Sequence, residues 1–596
     1  MPQTETAPLT AAGLPSFAIA THGSRRALRV KGDGVWRDRS YAEVAEEIER
    51  LATGFIVQGI EPGDRVCILA DTRPEWSVAS YALWTAGAVV VPIYPSNSAE
   101  ECAWVAGNSG AVAVIVEDAA QRAKIDTVRE ALPALRSLFV IEGRDAVDGV
   151  TAFDELAASG GEREELSRRR DAVGPDDVAL IIYTSGTTGP PKGCVLTHRN
   201  AMSLCSIVLE IETLRPGEVA YLYLPLAHVF AQIVQLAAFQ VGAAIAYYGG
   251  DTKQIIPELI EVHPDYLPSV PRIFEKLYAL AMSQVPPEEQ DDVARAVNLG
   301  VQVRGLEARG EPVPDEMRGP FERADERIFS KVRALFGGRL REALTGAAPI
   351  APEILEFFYA SGVPVMEGYG MSETMAIGTV NRQESFRFGT VGRALPGLEV
   401  RIADDGEILI RGPHLFGGYY LDPAATREAL SPDGWLRTGD LGQISAEGFV
   451  SVTGRKKDLI ITSSGKNITP VNIENQLRES RFVTEAIVYG DNQPYLVAAL
   501  TLDPEEAGKV ALRHGTQTDR ATLAADPDVR AELQKEVDAV NARLARIEQV
   551  KRFAILDTDL SQAGGELTPT LKVKRAIVYE KYADVFTGLY AKEEQR

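Results

Sequence analysis

The sequence predicts an α/β protein with a large N-terminal domain of layered α/β sheets and a β-rich part, joined by a hinge to a small, mobile α+β C-terminal domain. Three observations carry this. The chain has 596 residues, more than one compact core holds. Its first part alternates helical and strand patterns, as layers around largely parallel sheets require. From about residue 386 the pattern turns to short strands, and a smaller segment with mixed signals follows. Apolar content of 45% and charge of 24% suit a folded globular chain.

The elements follow in order. YAEVAEEIERLATGFIVQG places Val44, Ile48, Leu51 and Phe55 on one helical face. RVCILA follows a PGD turn as a short buried strand, and AVVVPIY and AVAVIVED repeat the theme. DVALIIY is another such strand, and it delivers YTSGTTGPPKG (183–193) at its C-terminal end, where ligands bind in open α/β sheets. Two long uncharged runs, 76–99 and 229–250, contain Pro92 and Pro95 or Gln232, Gln235, Gln240 and Gly242. Each reads as a buried helix followed by a strand rather than a membrane span. Residues 286–331 are charged and poor in aromatics, which suits a surface helical insertion. LEVRIADDGEILIRG is a hairpin turning at Asp404–Asp405–Gly406, within a β-rich part over about 386–453. GRKKDLIITSSGKNITP (454–470) has the composition of a linker or hinge, which sets the domains at 1–456 and 457–596.

The formal net charge of −22 disfavours nucleic acid as a partner. Cys67, Cys102, Cys194 and Cys205 show no CxxC spacing, which argues for a reducing compartment and against a cysteine-bound zinc. The N-terminal MPQTETAPLTAAGLPSF lacks the basic-then-apolar order of a signal peptide. A soluble, cytoplasmic protein is expected. A homodimer and transient membrane contact stay open, though no amphipathic anchor stands out.

The stretch 183–193 packs three glycines, five hydroxyls, two prolines and one lysine into eleven positions. Such a composition favours tight turns with exposed backbone N–H groups, as a loop that holds an anion needs. It is not a Walker A loop: Gly186 precedes Lys192 by six, but Pro191 takes the second glycine's place and Gly193 that of the Ser/Thr. It resembles instead the phosphate loop of the adenylate-forming superfamily, which includes acyl-CoA synthetases, firefly-type luciferases and peptide-synthetase adenylation domains.

Further segments resemble that family's motifs in its order. GAAP (346–349) is similar to the loop lining adenine and the acyl group, one methyl away from the commoner GGAP. That likeness assigns Gly346 to the nucleotide and Ala347 and Ala348 to the acyl group. GYGMSET (368–374) resembles the second nucleotide motif. There Gly368, Tyr369 and Gly370 would meet adenine, Ser372 the α-phosphate, and Glu373 would ligate Mg²⁺, for which a carboxylate is a suitably hard ligand. GWLRTGD (434–440) ends in Asp440, assigned to the ribose diol, and GRKKD (454–458) carries Arg455 as a second ribose or phosphate contact. In ELTPTLKVKRAIV (566–578), Lys572 matches the catalytic lysine, while Lys574 and Arg575 beside it suit a basic surface strand.

The resemblance implies a mechanism. Thr184, Ser185, Gly186, Thr187, Thr188 and Gly189 would grip the β- and γ-phosphates of ATP, with charge from Lys192. Mg²⁺ would sit on Glu373 and the Thr184 hydroxyl. Lys572 would stabilise charge as a carboxylate attacks the α-phosphate, and coenzyme A would then take the acyl group from the adenylate. Between the steps the family's small domain rotates about a hinge, here Lys457, and brings in a loop, here Gly465 and Lys466. LPLAHVFAQ (224–232) resembles the acyl-tunnel segment of long-chain fatty acyl-CoA synthetases, with His228 in a positioning role and Phe230 at the tunnel mouth. A bacterial long-chain fatty-acid–CoA ligase is the implied activity. The rivals are a fatty acyl-AMP ligase, whose insertion after the hinge has no room in DLIITSSGKNITP, a peptide-synthetase adenylation domain, a ligase for another carboxylic acid, and a non-catalytic relic.

Overall fold

A computed structural model describes residues 7–143, 149–184, 190–283, 285–512, 519–562, 564–568 and 572–591. The chain forms two compact units. One comprises Met1–Ala348, Glu353–Val400 and Leu409–Arg437; the other comprises Pro349–Pro352, Arg401–Ile408 and Thr438–Arg596.

Among the described residues the larger unit holds two broad sheets. One has the order Gly418–Tyr419, Lys192–Thr197, Val178–Thr184, Val89–Ile93, Arg65–Leu69, Ala113–Val116, Ser137–Val140, Val150–Ala152. From Val178–Thr184 onward its neighbours are parallel, whereas Lys192–Thr197 and Gly418–Tyr419 add on antiparallel. The other sheet has a parallel interior of Val365–Tyr369, Glu342–Thr345, Tyr266–Ser269, Val219–Leu222, Ala244–Tyr247 and Arg26–Gly32. Antiparallel strands close both of its ends: Thr379–Val380 with Arg393–Ala394, and Val35–Ser40.

These strands are apolar on both faces because helices cover both. In Arg65–Leu69, Val66 and Ile68 face one core while Cys67 and Leu69 face another. The first core lies between the two sheets, where Pro74–Thr85 and Val229–Val241 are buried along their whole length. That burial accounts for both long uncharged runs, and no helix among the described residues is long and apolar enough to cross a membrane. Tyr41–Val57 buries Val44, Ile48, Leu51 and Phe55 on one face, and a capping box between Ser40 and Glu43 starts it. The charged stretch after residue 286 is helical, over Gln290–Ala308, Asp315–Ala324 and Ser330–Leu335.

In the smaller unit, Val483–Tyr489, Leu496–Leu502 and Val550–Ile555 form a three-stranded sheet. The central strand is buried throughout: Leu496, Ala498, Leu500 and Leu502 face the helices Pro470–Arg478, Pro504–Leu512 and Pro527–Arg543. Val497 and Ala499 face Arg575–Lys581 and Ala583–Ala591.

Two histidines of the larger unit are sealed in neutral surroundings. His198 is buried and accepts a hydrogen bond at Nδ1 from the Ala11 N–H, 3.2 Å away; burial lowers its pKa to about 4, against a smaller opposing pull from Asp177. His414 is fully buried, neither ring nitrogen has a hydrogen-bond partner, and burial alone lowers its pKa to about 4. Unfolding restores an ordinary pKa near 6.5, so the unfolded chain binds the extra protons. Stability from these groups is complete above pH 6.5 and is lost as pH falls towards 4, by about 2 kcal/mol each at pH 5. The melting temperature is expected to drop between pH 7.5 and pH 5, and His414→Leu to flatten that drop; an unaltered slope in the variant would contradict this account.

Candidate functional site

In the larger unit, the strand Val178–Thr184 and its antiparallel partner Lys192–Thr197 are in register with Thr184 opposite Lys192. The phosphate-loop candidate therefore starts and ends on two paired strands, whose ladder fixes Thr184 and Lys192. Ser185, Gly186, Thr187, Thr188 and Gly189 lie outside the described residues. The Thr184 hydroxyl points back to the Lys192 carbonyl, at 3.4 Å. The hairpin base is gripped from the helix Ala99–Ser109: the Trp104 indole N–H donates to the Pro191 carbonyl (2.9 Å), and the Tyr183 hydroxyl donates to Asn108 Oδ1 (2.6 Å).

The second nucleotide segment begins where the other sheet changes direction. Val365–Tyr369 runs parallel to Glu342–Thr345, but Gly368 and Tyr369 pair antiparallel with Val380 and Thr379. Gly370 is obligatory, because a Cβ there would lie 2.0 Å from the Ala376 carbonyl oxygen. After it, Ser372–Thr374 form a 3-10 turn whose three side chains are buried. The GAAP loop leaves the neighbouring strand alongside, and a Cβ on Gly346 would sit 3.0 Å from the Gly368 carbonyl oxygen. Ala347 takes a left-handed backbone (φ 69°), as do Met375 (48°) and Ala376 (96°). Such conformations in residues with side chains persist only where their surroundings enforce them.

Glu373 is buried, with 5% of its surface exposed. The Tyr419 hydroxyl donates to its Oε1 at 2.6 Å, and the Phe416 N–H donates to its carbonyl at 2.9 Å. Lys192 Nζ lies over the Tyr419 ring, 5.3 Å from the centroid, within cation–π range. Burial, reinforced by the Glu373 carboxylate, pushes the Tyr419 phenol far above its ordinary pKa, so it stays a donor. The structure thus brings Lys192 and Glu373 together on a residue that sequence reasoning missed, with Thr184 opposite Lys192 on the adjoining strand. The available signal was the LFGGYYLD run (415–422), with two glycines and two tyrosines after the predicted strands.

His228 caps the buried helix Val229–Val241, its Nδ1 accepting from the Phe230 N–H at 3.2 Å. Phe230 is buried in the large core. Ala348 is exposed.

In the smaller unit, Asp440 and Arg455 face each other across a pair of antiparallel strands, and Arg455 Nε reaches Asp440 Oδ1 at 2.9 Å. Asp440 is buried, so the guanidinium orients its carboxylate. Buried Glu407 ties this pair down: it accepts from the Gly439 N–H (2.8 Å) and from Lys456 Nζ (3.0 Å), and Lys456 also reaches Asp405 (2.6 Å). Lys457 is exposed in the short turn Lys456–Asp458. The stretch that composition marks as a linker is an ordered hairpin, Ile460–Ile461 against Asn467–Ile468. Gly465 and Lys466 form its exposed tip, closed by N–H bonds between Thr462 and Lys466.

Lys572 is exposed, and its main chain is held to Thr568: the Thr568 N–H donates to the Lys572 carbonyl (2.8 Å) and the Lys572 N–H to Thr568 Oγ1 (3.0 Å). Its basic neighbours do not form a surface strand. Arg575 starts a helix, pairs with buried Glu474 and approaches Asp458 at 3.7 Å. Its charge is spent inside the unit.

A magnesium ion fits this donor set. Among the described residues no group of three or more His, Cys, Asp or Glu could hold a metal. Mg²⁺ binds instead through one or two carboxylates plus substrate phosphates and waters, and Glu373 with the Thr184 hydroxyl offers that minimal protein share.

Known proteins resemble this chain over most of its length. Residues 17–420 match the family described as AMP-binding enzyme, and residues 457–594 match the AMP-binding enzyme C-terminal domain. The long-chain-fatty-acid–CoA ligase FadD15 of Mycobacterium bovis is 38% identical over 574 residues, 94% of each chain. The long-chain-fatty-acid–CoA ligase ACSBG2 of Xenopus laevis is 32% identical, over 98% of this chain and 84% of its own. The A domain of carboxylic acid reductase from Segniliparus rugosus, solved with AMP and a co-purified carboxylic acid, gives a TM-score of 0.77 at 20% identity. That superposition covers 99% of this chain and 95% of the other, and bears on the fold.

The left-handed Ala347 yields a prediction. An L-residue there costs about 1–2 kcal/mol that glycine avoids, less the entropy glycine loses on folding. Ala347→Gly is expected to raise stability by about 1 kcal/mol in urea unfolding. A destabilised variant would mean that the methyl packs well enough to outweigh the strain.

Proposed function

This chain belongs to the AMP-binding, adenylate-forming enzyme family, and we propose that it joins a long-chain fatty acid to coenzyme A through an acyl-adenylate, releasing pyrophosphate and then AMP. One observation carries the adenylating chemistry: an ammonium (Lys192) and a buried carboxylate (Glu373) meet on the ring and hydroxyl of Tyr419. A polyphosphate bound with a divalent cation needs that pairing. The long-chain substrate and the thiol acceptor are supported by relatives that match nearly end to end.

In this reading Lys192 and the hairpin loop that precedes it take the β- and γ-phosphates. Bound to Glu373 and the Thr184 hydroxyl, Mg²⁺ would neutralise phosphate charge and ease the departure of pyrophosphate. Gly346, Gly368, Tyr369, Gly370 and Ser372 form the adenine and α-phosphate wall. Asp440 accepts from the ribose diol, held by Arg455 and by the Glu407 network behind it. Attack of one anion on another requires charge to be offset where it develops, and Lys572 supplies that cation. His228, whose Nδ1 caps its own helix, takes a positioning role for the acyl carboxylate. Ala347, Ala348 and Phe230 belong to the acyl side.

The functional division at 456/457 is supported by the second family match, which begins at residue 457. Lys457 is the hinge, and Gly465 and Lys466 serve the thiol step. The ordered hairpin that begins at Ile460 supports the CoA ligase over an acyl-AMP ligase, because the turn after Lys457 leads straight into it. A cytoplasmic location and a homodimer complete the proposal.

Purified protein given ATP, Mg²⁺ and saturated fatty acids of increasing length is expected to form acyl-CoA and AMP when CoA is present, with a maximum at long chains. An acyl-adenylate that persists in the presence of CoA would instead assign an acyl-AMP ligase. Lys572→Ala is expected to slow adenylation by about 10²–10³-fold while sparing thioester formation from preformed acyl-adenylate. Equal loss in both half-reactions would refute its assignment to the first.

A further inference from the structure

We propose that Tyr419 is a positioning residue for adenylation: its hydroxyl orients the Glu373 carboxylate and its ring seats the Lys192 ammonium, so both groups are set before the nucleotide binds. The inference rests on the reading of Glu373 as the Mg²⁺ ligand and of Lys192 as a phosphate contact.

Tyrosine suits the task because one rigid side chain offers a donor at its tip and a π-face along its body. Here the hydroxyl reaches Glu373 Oε1 at 2.6 Å and the face lies 5.3 Å from Lys192 Nζ. The backbone leaves the ring little freedom. Gly418 and Tyr419 pair with Val195 and Cys194, on the strand that Lys192 begins. On either side, the Gly417 N–H donates to the Val195 carbonyl (2.9 Å) and the Tyr420 N–H to the Gly193 carbonyl (2.7 Å). The Tyr419 N–H donates to Thr426 Oγ1 at 2.9 Å. Phe416 packs edge-on against the ring, 4.9 Å between centroids, while its N–H holds the Glu373 carbonyl.

The segment therefore fixes Glu373 by backbone and side chain together, and it does so from the edge strand of the sheet that carries Lys192. A phenylalanine at 419 would fill the same space and keep the cation–π contact. Of ring and hydroxyl, only the hydroxyl addresses the carboxylate, at Oε1.

Two variants separate the two handles. Tyr419→Phe removes the hydroxyl alone, and Tyr419→Leu removes ring and hydroxyl. The probe is the non-cleavable α,β-methylene analogue of ATP, titrated calorimetrically with and without Mg²⁺, alongside pyrophosphate exchange over a Mg²⁺ series. Tyr419→Phe is expected to bind the analogue as the wild type does without Mg²⁺, and to lose about 10- to 100-fold of the Mg²⁺ enhancement. The Mg²⁺ concentration for half-maximal exchange should rise by a similar factor. Tyr419→Leu should also weaken binding without Mg²⁺. Wild-type Mg²⁺ enhancement in Tyr419→Phe overturns the proposal, as does an identical loss in both variants. A wild-type protein whose analogue binding ignores Mg²⁺ would refute the metal role of Glu373, and the positioning role with it. Melting temperatures without ligand check folding, and Tyr419→Phe decides the matter if Tyr419→Leu fails to fold.

Discussion

A parallel sheet can grow only through crossover connections, whereas an antiparallel addition needs just a hairpin, and both candidate nucleotide segments of this protein sit where one gives way to the other. On one sheet the reversal falls between Val178–Thr184 and Lys192–Thr197; on the other it falls between Val365–Tyr369 and Thr379–Val380. A hairpin holds its ends by ladder hydrogen bonds, so its tip can spend glycines and hydroxyls on a ligand without losing its place. The rest of the larger unit serves this constraint. Its parallel strands are stiffened by apolar packing on both faces, and the reversals put polar loops at the strand ends, where α/β sheets receive ligands.

The chemistry of the site was written in local runs, and its geometry was not. Tyr183–Gly193 and Gly368–Thr374 stand out as candidates because anion and metal binding call for rare combinations of glycine, hydroxyl, lysine and carboxylate. Tyr41–Val57 was equally plain, since one apolar face at helical spacing has few other uses. Tyr419 stayed hidden because its meaning lies in a partner 46 residues away, and a tyrosine in a short strand signals nothing alone. The hairpin 460–468 stayed hidden, inside a stretch whose composition suits a linker or hinge, for the opposite reason. Its polar, small residues suit exposed backbone, and the bonds that order it run between main-chain groups that no composition reveals.

Charge tells a similar story at the other end of the chain. Lys572, Lys574 and Arg575 look interchangeable in sequence, yet folding separates them. Arg575 is drawn inward by Glu474, whose carboxylate also takes the Val488 N–H, and by Asp458 beside Lys457. That network ties the helix that follows Lys572 to the turn holding Lys457. Leu496–Leu502 provides the floor, sealed on both faces by opposite helix sets.

The smaller unit is discontinuous along the chain: Arg401–Ile408 leaves the polypeptide well before Thr438–Arg596. On the ribosome, Asp405 and Glu407 therefore emerge before Lys456 and Gly439 exist to receive them. Synthesis and folding are out of step here, and those carboxylates must stay hydrated until the later strands arrive. A fragment cut at the 456/457 boundary would carry Lys572 but lack the whole ion network beneath Asp440. The natural cassette for grafting this unit is longer than its contiguous C-terminal sequence.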